Sequence, residues 1–585
     1  MTRLEKLKAA TTLSDLAKML SYTPKGLSYI LYKIPDASKY RSFAISKSSG
    51  GVRQIDAPRQ PLKLLQSRLA ELLTDCLVEL ENAEPHRTNV SHGFHPGRSI
   101  MTNAVPHRRR RYVLNLDLVD FFGAINFGRV RGLLIKDAAF ALDPAVATVV
   151  AQIACYDNKL PQGSPCSPVI SNLVARIMDY RLARLAKVHG CTYTRYADDL
   201  TFSTNRRTFP PRLAKPLSAA PYKWRLMKAL RDEIKNAGFS INPQKTRMQI
   251  CGSRQETTGL VVNEKINIRQ DYYRMVRSMA HSLFTTGQYY ILGAPLSAEG
   301  LPVPITTLAP LEGRLAHVYY VKSRRDRSER VNKLENYQTP KAVRELYRRY
   351  LFYKYCIAPV HPTIVTEGKT DITYLKAAIR ALHPAYTNLA QTVNGNFVPK
   401  ICFVRPSYIN NTVVGLGSSA SQLTGLIETY RTRLKHYRHK PLNAPVIIVA
   451  DNDDAIGGIL KAANKLVSQK LNQNSPNLMT HVTNNLYLVR TPPVGAKVET
   501  CMEDLFPAAL KSTLVNGKPF DPKKEHGDAT AYGKAVFAEQ VVRLKANPAD
   551  FTAFASMLQA VDDSISDHAA KLAAANVASA VAAAS

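Results

Sequence analysis

The 585-residue chain has no run of eighteen or so apolar residues, so a membrane-spanning helix is not expected. Its opening, MTRLEKLKAATTLSDLAKML, is charged and amphipathic where a secretory leader would be apolar. No lipidation segment or long amphipathic stretch points to a membrane surface. The eight cysteines (76, 155, 166, 191, 251, 356, 402 and 501) are scattered without a C-x-x-C pair. That argues against zinc knuckles and disulfide frameworks and fits a reducing cytoplasm. Internal repeats are lacking too. The last shortage is acidic charge: 45 Asp and Glu stand against 79 Lys and Arg, a net charge of +34. Such an excess points to a polyanionic partner, nucleic acid first, because Lys and Arg displace counterions from a phosphate backbone.

What is present reads as a multidomain protein. Apolar content of 45% excludes wholesale disorder, and the length calls for several cores. Residues 1–35 read as short helices, and RSFAISKSSGGVRQIDAP (41–58) as strand, glycine turn, strand. PLKLLQSRLAELLTDCL has helical periodicity, and the basic run RRRRYVLNLDLVDFFGAI (108–125) leads into a buried strand. YKWRLMKALRDEIKNAGF (222–239) predicts a helix stopping at Gly238. Past a charge-dense stretch at 323–357, apolar strands alternate with helices, which is α/β patterning. The Ala-rich tail predicts a helix.

CTYTRYADDLTFS (191–203) sets Asp198 and Asp199 at a turn between two strand-forming runs. Alone, two such acids read as a solvated turn. Asp117 and Asp120, three apart at the end of VLNLDLVDFF, change that reading if the strand tips converge. Clustered carboxylates repel one another unless cations fill the cluster, and Mg²⁺ prefers oxygen ligands completed by phosphate. With YADD (196–199) and NLDLVDFF together, the chain resembles a reverse transcriptase. The resemblance implies two Mg²⁺ on Asp117, Asp198 and Asp199, and the two-metal logic of nucleotidyl transfer. It places Tyr196 beside the nucleotide and Phe122 as the ring that excludes a ribose 2′-hydroxyl. PQGSPCSP implies template and nucleotide contacts at Gln162 and Gly163, and INPQKTRM a proton donor to pyrophosphate at Lys245. KSSGGVRQI implies triphosphate contacts at Lys47 and Arg53. Each of these last three also reads as a proline loop, a helix cap or a surface hairpin.

Asn103-Ala104-Val105-Pro106-His107 resembles the N-A-x-x-H element of bacterial retron reverse transcriptases, and TTGLVVN (257–263) their V-T-G element, with Thr257 in place of Val. Asn103, His107, Arg108 and Arg109 become candidate RNA contacts. The histidines at 86, 92, 95 and 107 lack paired metal-ligand spacing and read as loop and RNA-contact residues. No RNase H, integrase, maturase or HNH segment is seen. The family implies a cognate structured noncoding RNA as template and primer, dNTPs as substrates, and synthesis from an RNA 2′-hydroxyl. The product would be branched RNA-linked single-stranded DNA (msDNA).

The second half holds IVTEGKTDITYL and, 84 residues beyond Glu367, VIIVADNDDA with Asp451 and Asp453. Acids at the carboxyl ends of apolar parallel strands stand where α/β sheets gather function. Together they resemble a TOPRIM domain of the OLD-nuclease type. That implies one or two Mg²⁺ on Glu367, Asp451 and Asp453, with Glu367 also moving a proton. Asp371 of the E-G-x-x-D run, Glu503 and Asp504 of CMEDLF, and Lys534 are weaker candidates; Lys534 also reads as an ordinary helix lysine.

The expected architecture is a multidomain α+β and α/β chain, a right-hand polymerase followed by a TOPRIM-like domain. Helices and fingers fall at 1–110, palm at 111–255, thumb at 256–325, a basic helical connector at 326–358, and the TOPRIM-like domain with its helical tail at 359–585. Two readings of that last domain stand: a nuclease or toxin effector in antiphage defence, with a DNA or RNA target, or an assembly scaffold. A group II intron-like reverse transcriptase is the alternative for the first half. Oligomeric state stays open.

Overall fold

A computed structural model describes residues 1–46, 50–83, 90–217, 220–291, 293–294, 296–323, 341–407, 409–416, 419–524, 528 and 530–584. These form two compact units, 1–269 and 270–323 with 341–584. Among them, no helix is long and apolar enough to cross a membrane. All eight cysteines are free thiols.

In the first unit, strands β1 (Tyr40–Ser46) and β2 (Val52–Pro58) pair antiparallel around the glycine turn. Helix α1 (Leu62–Ala83) buries Leu65, Leu69, Leu72, Leu73 and Cys76 along one side. The central sheet is antiparallel, ordered β4 (Thr192–Tyr196), β5 (Asp199–Thr204), β3 (Tyr112–Asp117), β6 (Arg247–Ile250). Helix α2 (Ser167–Val188) leads into β4 and, with α1 and the N-terminal helices, closes one core over Leu114, Leu116, Leu200 and Phe202. The helix expected over 222–239 starts only at Lys228. Residues Ala220–Leu226 are instead a strand paired with Ala214–Leu217. Trp224 there meets the edges of Tyr112 and Phe209, so aromatic packing overrides helical periodicity.

The second unit opens with helices α3 (Gln270–Thr286), α4 (Ala309–Ser323) and α5 (Lys341–Phe352). Its sheet is ordered β8 (Cys402–Phe403), β7 (Thr363–Thr366), β9 (Val446–Ala450), β11 (Leu486–Arg490), β10 (Met479–Thr483). Strands β8, β7, β9 and β11 are parallel and β10 antiparallel. From β7 the chain passes through α6 (Lys369–Leu382) out to the edge at β8, then returns through α7 (Ala420–Leu434) to β9, and α8 (Ile456–Ala463) leads onward. Because parallel crossovers are right-handed, this reversal puts α6 on one face and α7 on the other, where α8 packs against α7. Ile364, Ile447 and Val449 join α6 and the C-terminal chain in one core, which includes Phe506, Phe537 and Met557; α7 and α8 pack on each other. The crevice between β7 and β9 is therefore the switch point of the sheet. Helix α9 (Ala555–Ala584) matches the helical tail expected from its alanines.

Candidate active site

Asp117 ends β3 and stands opposite Asp199 in the β3–β5 ladder. Asp198 lies in the two-residue turn between β4 and β5, with Ala197 in the left-handed region at φ 56°. The amide of Leu118 donates to the Asp198 carbonyl at 3.0 Å, tying the turn to the end of β3. Three carboxylates thus share one sheet end. Lys245 Nζ donates to Asp117 Oδ1 at 2.9 Å, and that bond raises the lysine's pKa. Burial raises the Asp198 carboxyl, and Asp117 adds repulsion. Asp199 keeps an exposed side chain, yet the surrounding protein, then Asp198 and Asp117, push it up to about 6. Among the described residues no three such side chains are drawn onto one metal-binding point. The donor set itself, oxygen only and mutually repelling beside the Lys245 ammonium, suits a hard divalent cation.

The turn is held from behind by residues that the sequence did not single out. Arg195 is fully buried, clamps both oxygens of Asp179 at 2.7–3.0 Å, and donates to the Ala197 carbonyl at 3.1 Å. Gly93 lies so close that a β-carbon there would stand 2.6 Å from the Ala197 nitrogen. Asn172 Nδ2 fixes the Gly93 carbonyl at 2.8 Å. The signal that could have found Gly93 is SHGFHPG, a glycine in a polar loop, but its partner lies a hundred residues away in sequence.

Around this end, Arg53 is exposed on β2, and its charge acts on Asp198. Lys47 lies outside the described residues. The Gln162 carbonyl accepts from the Asp56 amide at 2.8 Å. Gly163, at φ +122°, would press a β-carbon onto the Asp56 carbonyl and Ile55 at 3.0 Å. The 160–168 loop therefore packs on the β1–β2 hairpin. Phe122 is half-buried between Phe121 and Phe94, and Tyr196, also half-buried, faces Asp199 across the hairpin. The reading of Asn103 and His107 as RNA contacts is corrected: both are fully buried. His107 bridges Ser203 and Thr194, each at 2.7 Å, so it ties the 99–107 segment to the sheet. Arg109 remains exposed and Arg108 half-exposed. Of the other histidines, His95 bonds Glu81 at 2.7 Å, His92 bonds Thr102 at 3.0 Å, and His86 lies outside the described residues.

The second unit gathers another acidic group at its switch point. Glu367 follows β7 and Asp451 follows β9, adjacent strands in register. Burial, then Asp371, Glu503 and Glu367, push Asp451 up to about 8, against the pull of Lys534. Burial also raises Glu367, with Asp453 and Asp371 adding repulsion. Lys534 Nζ donates to Oε2 of the buried Glu503 at 3.0 Å. The Met502 amide holds Asp451 Oδ1 at 3.0 Å. Glu367 Oε2 and Glu503 Oε1 are buried without a hydrogen-bond partner. Unpartnered carboxylate oxygens among repelling acids fit a divalent cation. Two candidates carry local duties. Asp371 caps α6 through the Gly368 amide, and Asp453 Oδ1 accepts from the Ala455 amide. Asp504 turns away to Lys497 at 2.7 Å and leaves the cluster.

An antiparallel sheet with three acids at one end and a flanking hairpin is the geometry expected of a reverse transcriptase fold. The family model described as reverse transcriptase (RNA-dependent DNA polymerase) matches residues 45–280. Retron Mx65 reverse transcriptase of Myxococcus xanthus is 39% identical over 41% of this chain and 55% of its own length. Retron Mx162 reverse transcriptase of the same organism is 33% identical over 46% and 58%. Retron Ec86 reverse transcriptase of Escherichia coli is 31% identical over 48% of this chain and 80% of its own. The chain belongs to the retron reverse transcriptase family. It spans little more than half the length of the two Myxococcus relatives. A solved Candida tropicalis telomerase is similar at 12% identity over 54% of this chain and 57% of its own, with a TM-score of 0.30, too low to decide anything.

Proposed function

We propose that this chain is an RNA-directed DNA polymerase that copies a cognate structured noncoding RNA, starting from an RNA 2′-hydroxyl, into branched RNA-linked DNA. The convergence of Asp117, Asp198 and Asp199 beside Lys245 carries this reading. Asp117, Asp198 and Asp199 would hold Mg²⁺, which when bound lowers the pKa of the attacking hydroxyl and neutralises charge on the leaving pyrophosphate. Lys245, which bonds Asp117, would deliver a proton to that pyrophosphate. Arg53 offers a bidentate cation to the triphosphate, and Phe122 supplies the apolar wall beneath the sugar. Asp198→Asn should abolish RNA-linked DNA in cells carrying the chain and its neighbouring RNA gene, while the RNA still co-purifies. Persistence of the DNA would sink the assignment.

A second reading is favoured by Glu367, Asp451 and Glu503 around Lys534. This is a TOPRIM-like, cation-dependent phosphodiesterase site, acting as an effector in antiphage defence and not as an idle scaffold. Glu367, Asp451 and Asp453 would ligate the cation, and Lys534 would bring positive charge to the phosphate. Glu367→Gln should remove toxicity or nucleic-acid cleavage and leave DNA synthesis intact. Equal toxicity of both forms would return the domain to the scaffold reading.

A further inference from the structure

Two cavities open beside the acids of the second unit, and both are basic. One, of about 610 Å³, is lined by Gly368 and Thr370 at the start of α6 and by Lys369, Lys523, Lys524 and Lys534. The other, of about 690 Å³, is lined by Asp454 before α8, Lys461 on it and Lys465 after it, together with Lys470, Asn472 and Gln473. Each adjoins the acidic cluster: Lys534 is bonded to Glu503, and Asp454 directly follows Asp453. Gln473 Nε2 also donates to the Asp453 carbonyl at 3.0 Å, which fixes the second cavity to the loop bearing the acids. Since α6 and α8 lie on opposite faces of the sheet, the cavities flank the carboxyl ends of β7 and β9 from two sides.

The charges lining them are available. Lys524 pairs with Asp528 at 3.2 Å and Lys465 with Glu428 at 2.8 Å. Lys369, Lys523, Lys461 and Lys470 are exposed and, among the described residues, carry no contact ion pair. A mononucleotide needs one such cavity. Two, with acids between them, fit a strand whose phosphates lie on both sides of one phosphodiester.

We infer that the second site takes a polynucleotide strand, with the phosphates on one side of the acids held by Lys369 and Lys523 and those on the other by Lys461 and Lys470. The inference rests on reading the acids as a phosphodiesterase site, and adds the path of the strand and the lysines that hold it. RNA and DNA share the chemistry that these lysines recognise.

The test is lysine-acetylation footprinting of the unaltered full chain, read residue by residue, so binding at the polymerase site does not interfere. The probes are a single-stranded DNA of about 16 nucleotides, the same sequence as RNA, and a deoxynucleoside monophosphate, each in Ca²⁺. With at least one of the oligonucleotides, Lys369 and Lys523 together with Lys461 and Lys470 should lose most of their reactivity; which one does so identifies the strand. The monophosphate should not shield both pairs. Unchanged reactivity of either pair with both oligonucleotides, or full shielding of both by the monophosphate, overturns the inference. Cleavage is scored in parallel with Glu367→Gln in Mg²⁺. Shielding without Glu367-dependent cleavage upholds the strand site and defeats the phosphodiesterase reading; cleavage without shielding does the reverse.

Discussion

At the scale of single residues, the acids of YADD depend on neighbours that carry no acidic signal. Gly93 is the sharpest case, because a β-carbon there would stand 2.6 Å from backbone that cannot swing aside. Gly93→Ala should displace the turn and cut primer extension by roughly 10²-fold, the scale of an ångström misplacement, with the melting curve as control for folding. Arg195→Met would strand Asp179 as an unpaired buried charge. It should cost about 3–5 kcal/mol in a urea titration. His107 sets a pH dependence of stability. Burial, helped by Arg110 and His92, pushes its pKa down to about 3, against about 6.5 unfolded. The unfolded chain therefore binds a proton that the folded chain refuses, and stability falls as pH drops from about 6.5 toward 3. His107→Gln should flatten that slope in unfolding titrations across the window. The N-A-x-x-H element was legible as a motif, but its burial was not, since both hydroxyls that hold His107 lie more than 80 residues further along.

At the scale of elements, helix α3 packs into the second unit along Val276, Met279, Ala280 and Leu283, and Phe284 adds a ring contact near its end. Phe284 meets Tyr353 and Tyr437 at centroid distances of 5.7 and 5.2 Å, and the Arg349 guanidinium lies 5.0 Å over it. Its carbonyl accepts the Arg438 and His439 amides. The sequence placed α3 within a thumb over 256–325; nothing local in QDYYRMVRSMAHSLFTT announces that its partners lie at 349–353 and 437–439. Phe284→Ala should destabilise the unit by about 3–5 kcal/mol. Hydrogen exchange should then quicken in α3 and in 436–439 together. The 222–239 segment teaches the same lesson in reverse: helical periodicity was real over 228–236, and a strand partner claimed the rest.

For the whole molecule, a net charge of +34 should make affinity for the proposed RNA partner steeply dependent on salt. If six to ten phosphates are neutralised, binding should weaken by about 10³–10⁵-fold between 50 and 200 mM salt. A filter-binding series would read the slope, and a flat one would contradict phosphate-dominated recognition. What the sequence determined by itself was composition and local order. These comprised the charge, the acids of YADD and NLDLVDFF, the acids after the two apolar strands, and the alternation of strand and helix in the second half. Such features are set within a few residues by propensity, periodicity and repulsion between like charges. The tertiary structure alone decided what meets what: Asp117 across from Asp199, Arg195 beneath the turn, Glu503 with Lys534, Asp504 turned away. It also alone decided that lysine-lined cavities adjoin the segments bearing the acids. Those facts depend on strand register and on the direction in which the chain crosses its own sheet, and contacts between residues so far apart in sequence leave no local trace.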